Sequence, residues 1–289
     1  AGTDHTVRLW ALDSPGTHTI LHGHRDGVRS VLFSRDGREL YTGSDDGTVK
    51  VWPLPSGETT NLLRHSGWLY GVAFSPDGRL LAATDDQTAV LWDVSARRKI
   101  EPPLGQHSLS VLSFAFSQDG KFLASKGADA INVWELAGKT LAHTFPKTNW
   151  GAAKPAFHPT ELILAAAWGS LDFLDLRTGQ PTNLLATPPT TGASCPDFSP
   201  GRKSIAVGMG DGTVLIGDLE TGRTTPALLK HAAGVKWVCF SHDSTLLASG
   251  GGDNRVILYD LRQRRVIRTI QAHTEEVSAL AFTPDDRTL

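Results

Sequence analysis

"GSDDGTVKVW", Gly43 to Trp52, carries two adjacent carboxylates and a hydroxyl at Thr48, with a second hydroxyl at Thr42 and an imidazole upstream at His24. These are the residue types of a catalytic acid pair, a metal loop or a hydrogen-bonded turn. An active site is built once and a structural device many times, so the choice turns on whether the stretch recurs. Close variants stand at "GTDHTVRLW" (Gly2–Trp10), "TDDQTAVLW" (Thr84–Trp92), "GADAINVW" (Gly127–Trp134), "GDGTVLIGD" (Gly210–Asp218) and "GGDNRVILYD" (Gly251–Asp260). Self-similarity at a fixed period takes precedence over other signals. The ruler is the Phe that ends an alternating apolar run: Phe33, Phe74, Phe116, Phe157, Phe198, Phe240 and Phe282 lie 41 or 42 residues apart. Seven units account for the chain.

Within a unit the apolar period is two, with Asp-Gly, Pro-Asp-Gly and Thr-Gly as punctuation, and no window carries a helical stripe. The second unit predicts strand a over Leu69–Ser75, strand b over Leu80–Thr84, strand c over Ala89–Val94 and strand d near Ile100. Four antiparallel strands make a sheet too small to bury its own faces, and stacking such sheets in a ring both buries them and removes long open edges. The fold expected is all-β, one seven-bladed propeller over 1–289.

Composition sets further bounds. An apolar content of 40 % suffices for a large core, and a net charge of -2 gives no electrostatic reason to bind nucleic acid or an acidic membrane. The longest apolar run, Leu162–Trp168, is too short to span a bilayer, and the N-terminus lacks a signal pattern. Cys195 and Cys239 sit at different depths of equivalent strands, which predicts buried free thiols and fits a reducing cytoplasm.

The spaced set of residues resembles the WD-repeat β-propeller family over the whole chain. That resemblance implies a buried tetrad in each blade: His before strand a, Ser or Thr in strand b, Asp in the b–c turn and Trp in strand c. The first repeat supplies His24, Thr42, Asp46 and Trp52; the third His107, Ser125, Asp129 and Trp134; the sixth His231, Ser249, Asp253 and Tyr259. The second keeps His65, Asp86 and Trp92 but reads Ala82 at the hydroxyl position, and the seventh has His273, Asp4 and Trp10 without the hydroxyl.

A Ser/Thr, His, Asp set matches a nucleophilic triad in composition only. Repetition favours a paired polar network that pins each b–c turn, and no enzyme is expected. In "HTILHGH", His18, His22 and His24 share one face of an extended strand, as three zinc ligands would, but His24 belongs to the tetrad and strand d is the outer strand. No metal and no cofactor are expected. The basic runs Ser95–Lys99 and Arg262–Arg265 fall in c–d loops of separate blades and read as solvated.

Function should lie where repeats depart from their own pattern. In the fourth, Thr148 replaces His and strand c lacks Trp; in the fifth, Pro189 replaces His and Gly217 replaces Trp. Trp68, Trp150 and Trp168 fall in d–a and b–c loops, which together form the face called the top in this family. Trp is enriched at interaction hot spots, so these three, with Arg25 and Glu275, are the expected partner-binding residues; the alternative is that Trp150 and Trp168 plug the fourth blade. Trp237, inside strand a, reads as core or channel lining. The expectation is a non-catalytic, monomeric, cytoplasmic platform for a protein or peptide. The alternative is a sensor or autoregulatory module whose partner is another domain of a larger signalling protein, a kinase or NTPase. Regular repeats with 18 Arg against 10 Lys resemble bacterial WD-repeat domains. Aligning Trp10 with Trp52 and Phe282 with Phe33 predicts a seventh blade assembled from about 277–289 and 1–22, lacking only the counterparts of Tyr41 and Thr42. A break inside a central strand also suggests a segment of a longer protein.

Overall fold

The computed structural model describes residues 1–14, 16–54, 58–64, 69, 71–85, 87–146, 154–167, 169–225 and 229–289. Among the described residues, alternating apolar runs form six four-stranded antiparallel sheets with consecutive strand order. Blade 1 comprises strand a Val28–Phe33, b Glu39–Ser44, c Thr48–Pro53 and d Thr60–Arg64. Blade 3 runs from Val111–Phe116 to Thr140–Pro146, blade 4 from Ala156–Phe157 to Gln180–Thr182, blade 5 from Ala193–Phe198 to Leu229–Lys230, and blade 6 from Val235–Phe240 to Arg265–Gln271. In blade 2, strand a is limited to Val72–Phe74 and strand d lengthens to Arg98–Gln106. Among the described residues no helix is long and apolar enough to cross a membrane.

Six four-stranded blades stand where seven were expected. The remaining sheet has two strands, Thr6–Trp10 and His18–His22. Segment 277–289 meets it through the isolated bridges Gly2–Val277 and Ala11–Thr288. The Trp10 amide donates to the Leu289 carbonyl at 2.8 Å and the Leu289 amide returns the bond at 3.0 Å. The physical reason is that 277–289 touches this sheet through single bridges and not through a continuous ladder, so it adds no further strand to it.

Neither face of a sheet is left bare. Among the described residues, seven apolar clusters each straddle two successive sheets. One joins Trp10, Phe282 and Leu289 to Ala248 and Leu258 of blade 6. Another joins Val7, Leu21 and Ala279 to Val28, Leu40 and Trp52 of blade 1. Cys195 and Cys239 are buried free thiols, and burial pushes the Cys195 thiol up to about 11.

The a–b turns close by side chains. Ser34 donates to Asp36 at 2.6 Å and accepts from the Glu39 amide, and the pattern returns at Ser75–Asp77, Ser117–Asp119, Ser241–Asp243 and Thr283–Asp285. In three of these turns a non-glycine residue holds the left-handed position: Arg202, Ser244 and Asp286, at φ of 65°, 59° and 56°. Ser244 Oγ accepts the Gly201 amide of the preceding turn at 2.9 Å. Asp286 accepts the His242 and Asp243 amides at 2.9 and 3.0 Å and bonds His242 Nδ1 at 2.9 Å.

Candidate functional site

The candidate tetrads are assembled where strand b, strand c and the segment before strand a converge. In blade 1, His24 Nδ1 donates to Asp46 Oδ2 at 2.9 Å, Thr42 Oγ1 donates to His24 Nε2 at 2.7 Å, and Trp52 Nε1 donates to Thr42 at 2.8 Å. Blade 3 repeats this with His107–Asp129 at 3.0 Å and with His107–Ser125 and Trp134–Ser125 at 2.8 Å. In blade 6, His231 meets Asp253 at 2.8 Å and Ser249 at 2.9 Å. Near the chain ends, His273 meets Asp4 at 2.9 Å.

A further partner escaped the sequence reading. Each of these carboxylates also accepts the amide that follows the histidine: Arg25 at 2.9 Å, Ser108 at 2.8 Å, Ala232 at 2.9 Å and Thr274 at 3.0 Å. The Asp therefore ties the b–c turn to the backbone entering strand a. Glycine makes room for the indole: a Cβ on Gly23 would stand 2.9 Å from Trp52, and one on Gly105 would overlap the Trp134 ring.

Two expectations need correction. Strand register pairs Ala83, not Ala82, with Val72, so Ala83 occupies the place of Thr42, which pairs with Val31. Either alanine leaves the hydroxyl missing, and Trp92 Nε1 is buried without a partner among the described residues. Tyr259 forms no hydrogen bond to Ser249 among the described residues; its ring packs with Val238, Leu247 and Ile257 instead. Trp10 stacks on His18 with ring centroids 4.2 Å apart, so His18 is an exposed partner of an indole on the outer strand. In blade 5, the space beside Gly217 is filled by Leu185, which a Cβ there would meet at 2.7 Å. His65, Asp86, Trp68, Trp150 and Trp168, with Thr148, lie outside the described residues.

Burial holds the His24 and His107 imidazoles below their ordinary value of 6.5, which leaves them neutral, with Nδ1 donating and Nε2 accepting. For Asp46 burial acts upward, but the donors from Thr48, Arg25 and His24 outweigh it and bring the carboxyl down to about 2. Asp129 reaches about 2 by the same balance, with Ser108 the main donor. Both kinds of group destabilise the fold in acid. An unfolded histidine takes up a proton near 6.5 that the buried one refuses, and the carboxylate contribution, complete above 3.8, fades as the pH falls toward about 2. Tm should fall steadily from pH 7 to pH 3 in melts at constant ionic strength; a flat or rising profile would contradict the coupling.

At the end of the ring carrying the b–c turns, Arg25 and Glu275 are exposed. Beside them lies a charged network that the sequence did not single out. Strand a bulges at Arg29 in blade 1 and at Lys236 in blade 6, one residue before the register resumes. Arg29 meets Asp45 at 2.6 Å and Glu276 at 3.8 Å, and Lys236 meets Glu276 at 3.0 Å. The spacing to the ruler Phe, four residues in both strands, was the available signal. Just before strand a of blade 4, Lys154 lies 3.9 Å from Asp197 of blade 5 and 5.2 Å from the ring centre of Trp237 of blade 6. Burial raises the Asp197 carboxyl, and Trp237 Nε1 has no partner among the described residues.

The family model described as WD domain, G-beta repeat matches residues 16–53, 57–93, 100–134, 223–260 and 264–289, more than half of the chain. The unmatched interval 135–222 holds blade 4 and most of blade 5, where the sequence departs most from the repeat. Apoptotic protease-activating factor 1 of Rattus norvegicus is 33% identical over 90 residues, 28% of this chain and 7% of that protein. Small ribosomal subunit protein RACK1y of Oryza sativa subsp. japonica is 30% identical over 94 residues, 32% of this chain and 28% of that protein. Serine-threonine kinase receptor-associated protein of Gallus gallus is 26% identical over 231 residues, 78% of this chain and 64% of that protein. In each case the match spans less than two thirds of the relative. These relatives are eukaryotic and lend no support to a bacterial type. Repeat spacing, four-stranded sheets and matched segments agree, and the chain belongs to the WD-domain, G-beta-repeat family.

Proposed function

We propose that this chain is a non-catalytic platform that holds a protein or peptide mainly on its top face. The observation that carries this reading is the tie from the Asp46, Asp129, Asp253 and Asp4 carboxylates to the amide after the histidine. It makes one end of the ring a rigid rim, and a rigid rim lowers the ordering cost of binding. Arg25 and Glu275 stand on that rim, and the loop residues Trp68, Trp150 and Trp168 supply the large apolar anchors. The His, Asp and hydroxyl groups serve the fold, with their polar atoms turned on one another. The chain acts as a monomer in the cytoplasm, without nucleic acid, membrane or cofactor. It closes as a single seven-bladed ring, with 277–289 and 1–22 together acting as the seventh blade, a reading supported by the Trp10–Leu289 hydrogen bonds.

Capture from lysate tests the reading. Trp68→Ala and Trp150→Ala should each weaken retention of the captured protein by about 2 kcal/mol or more while the melting profile stays nearly unchanged. Loss of stability with retained capture would assign the tryptophans to packing. A second reading, a sensor within a longer signalling chain, is favoured by the match to only 7% of apoptotic protease-activating factor 1. In that case capture should recover little.

A further inference from the structure

We propose that the seam between the two-stranded sheet and blade 1 binds an extended peptide that sets an apolar side chain beside a lysine or arginine. The seam holds a groove of about 430 Å³, open to solvent on one side. It lies at the a–b turns, the end of the ring opposite the candidate top face, so it is a second surface, independent of the one above. Leu9, Phe33 and Leu54 form its floor, each only partly buried by the fold, and Pro284 extends the apolar strip to the edge.

The rim supplies the charge. Asp36 and Asp285 stand on it, and none of the described residues lining the groove is a lysine or arginine. Each carboxylate spends Oδ1 on its own turn. Asp36 accepts from Ser34 at 2.6 Å and the Arg38 amide at 3.1 Å, and Asp285 from Thr283 at 2.6 Å and the Arg287 amide at 3.1 Å. Those donors, led by the Ser34 and Thr283 hydroxyls, hold both carboxyls below the ordinary range, so they are ionised at neutral pH. The second oxygens remain for an incoming cation. The Arg38 side chain approaches Asp36 Oδ2 only to 3.9 Å and is 84% exposed, a contact that water screens. His18, also on the wall, is held against Trp10. An apolar floor under two carboxylates complements an apolar residue flanked by a basic one, and disfavours an acidic peptide by like-charge repulsion.

Selection of displayed random dodecapeptides on the chain, with a parallel selection on Asp36→Asn/Asp285→Asn, tests this. Asparagine keeps the Oδ1 acceptor and with it the turn. Peptides recovered on the parent chain should pair Leu, Ile or Phe with an adjacent Lys or Arg. Synthetic copies should bind the double variant about tenfold more weakly, and added salt should weaken binding to the parent chain. If the double variant melts early, the same loss with Leu54→Gln supports the assignment. Recovery of no peptide, recovery of acidic peptides, or binding unchanged in the variants would overturn it. Competition by self-association of the chain would give the groove to a second copy and overturn it as well.

Discussion

Gly212→Ala should be among the most damaging single substitutions in the chain, lowering stability by about 3 to 5 kcal/mol in denaturant melts. Gly212 sits in the b–c turn of blade 5 at φ +90°, where a side chain is already strained. A Cβ there would also run into the carbonyl oxygen of His231 and come within 2.9 Å of that of Ala233. Both obstacles are backbone, and the His231 carbonyl belongs to the segment that carries the blade 6 tetrad. No rotamer change relieves the clash. Gly78 provides the control, since it lies at φ +73° with nothing within 4 Å of a built Cβ. Gly78→Ala should cost only the left-handed conformation, about 1 to 2 kcal/mol. Equal losses would mean that conformation alone, not the neighbouring blade, sets the requirement at 212.

Asp46→Ala should cost about 3 kcal/mol, because it strands several donors at once and unmet buried donors are costly. The carboxylate accepts from His24 and the Arg25 amide on one oxygen, and from the Thr48 amide and hydroxyl at 2.9 and 2.6 Å on the other. Asp211 is the matching position in blade 5, where Pro189 stands in place of histidine. Among the described residues it bonds only Thr213, at 2.9 Å to the amide and 2.6 Å to the hydroxyl, and it is exposed. Asp211→Ala should therefore cost less than about 1 kcal/mol. Melts in which the two variants lose the same amount would remove the histidine and the following amide from the account.

The contrast between these aspartates shows what a single sequence discloses. Phe33 and its counterparts recur at a spacing no tertiary contact can blur, so the sheets and their strand order were legible. The hydroxyl position of the second repeat was misread by one residue, Ala82 for Ala83, because two adjacent alanines give no chemical cue and only strand pairing fixes the register. Tyr259 was aligned correctly with the tryptophans, yet alignment carries no reach: a phenol presents its polar atom at the far end of the ring and an indole along its side. Arg29 and Lys236 passed as ordinary charges because their convergence on Glu276 depends on bulges and on blades 6 and 1 flanking the segment that carries it. The amides after the histidines were invisible for a simpler reason. Every residue has one, and only geometry singles out Arg25, Ser108, Ala232 and Thr274.

The left-handed turn residues Arg202, Ser244 and Asp286 imply that the ring is not mechanically uniform. Ser244 and Asp286 hold the preceding turn by hydrogen bonds, so blades 5 and 6 and the C-terminal segment are stitched edge to edge along one rim. Gly37, Gly78 and Gly120 carry no side chain at the matching position and cannot make such a stitch. Under a load that pries the blades apart, the stitched arc should move as one stiff sector. Compliance then concentrates in the arc from blade 1 to blade 3, where, among the described residues, apolar packing, the tetrad rim and the Lys139 ammonium, which donates to the Glu101 and Pro102 carbonyls at 3.0 and 3.2 Å, resist the opening.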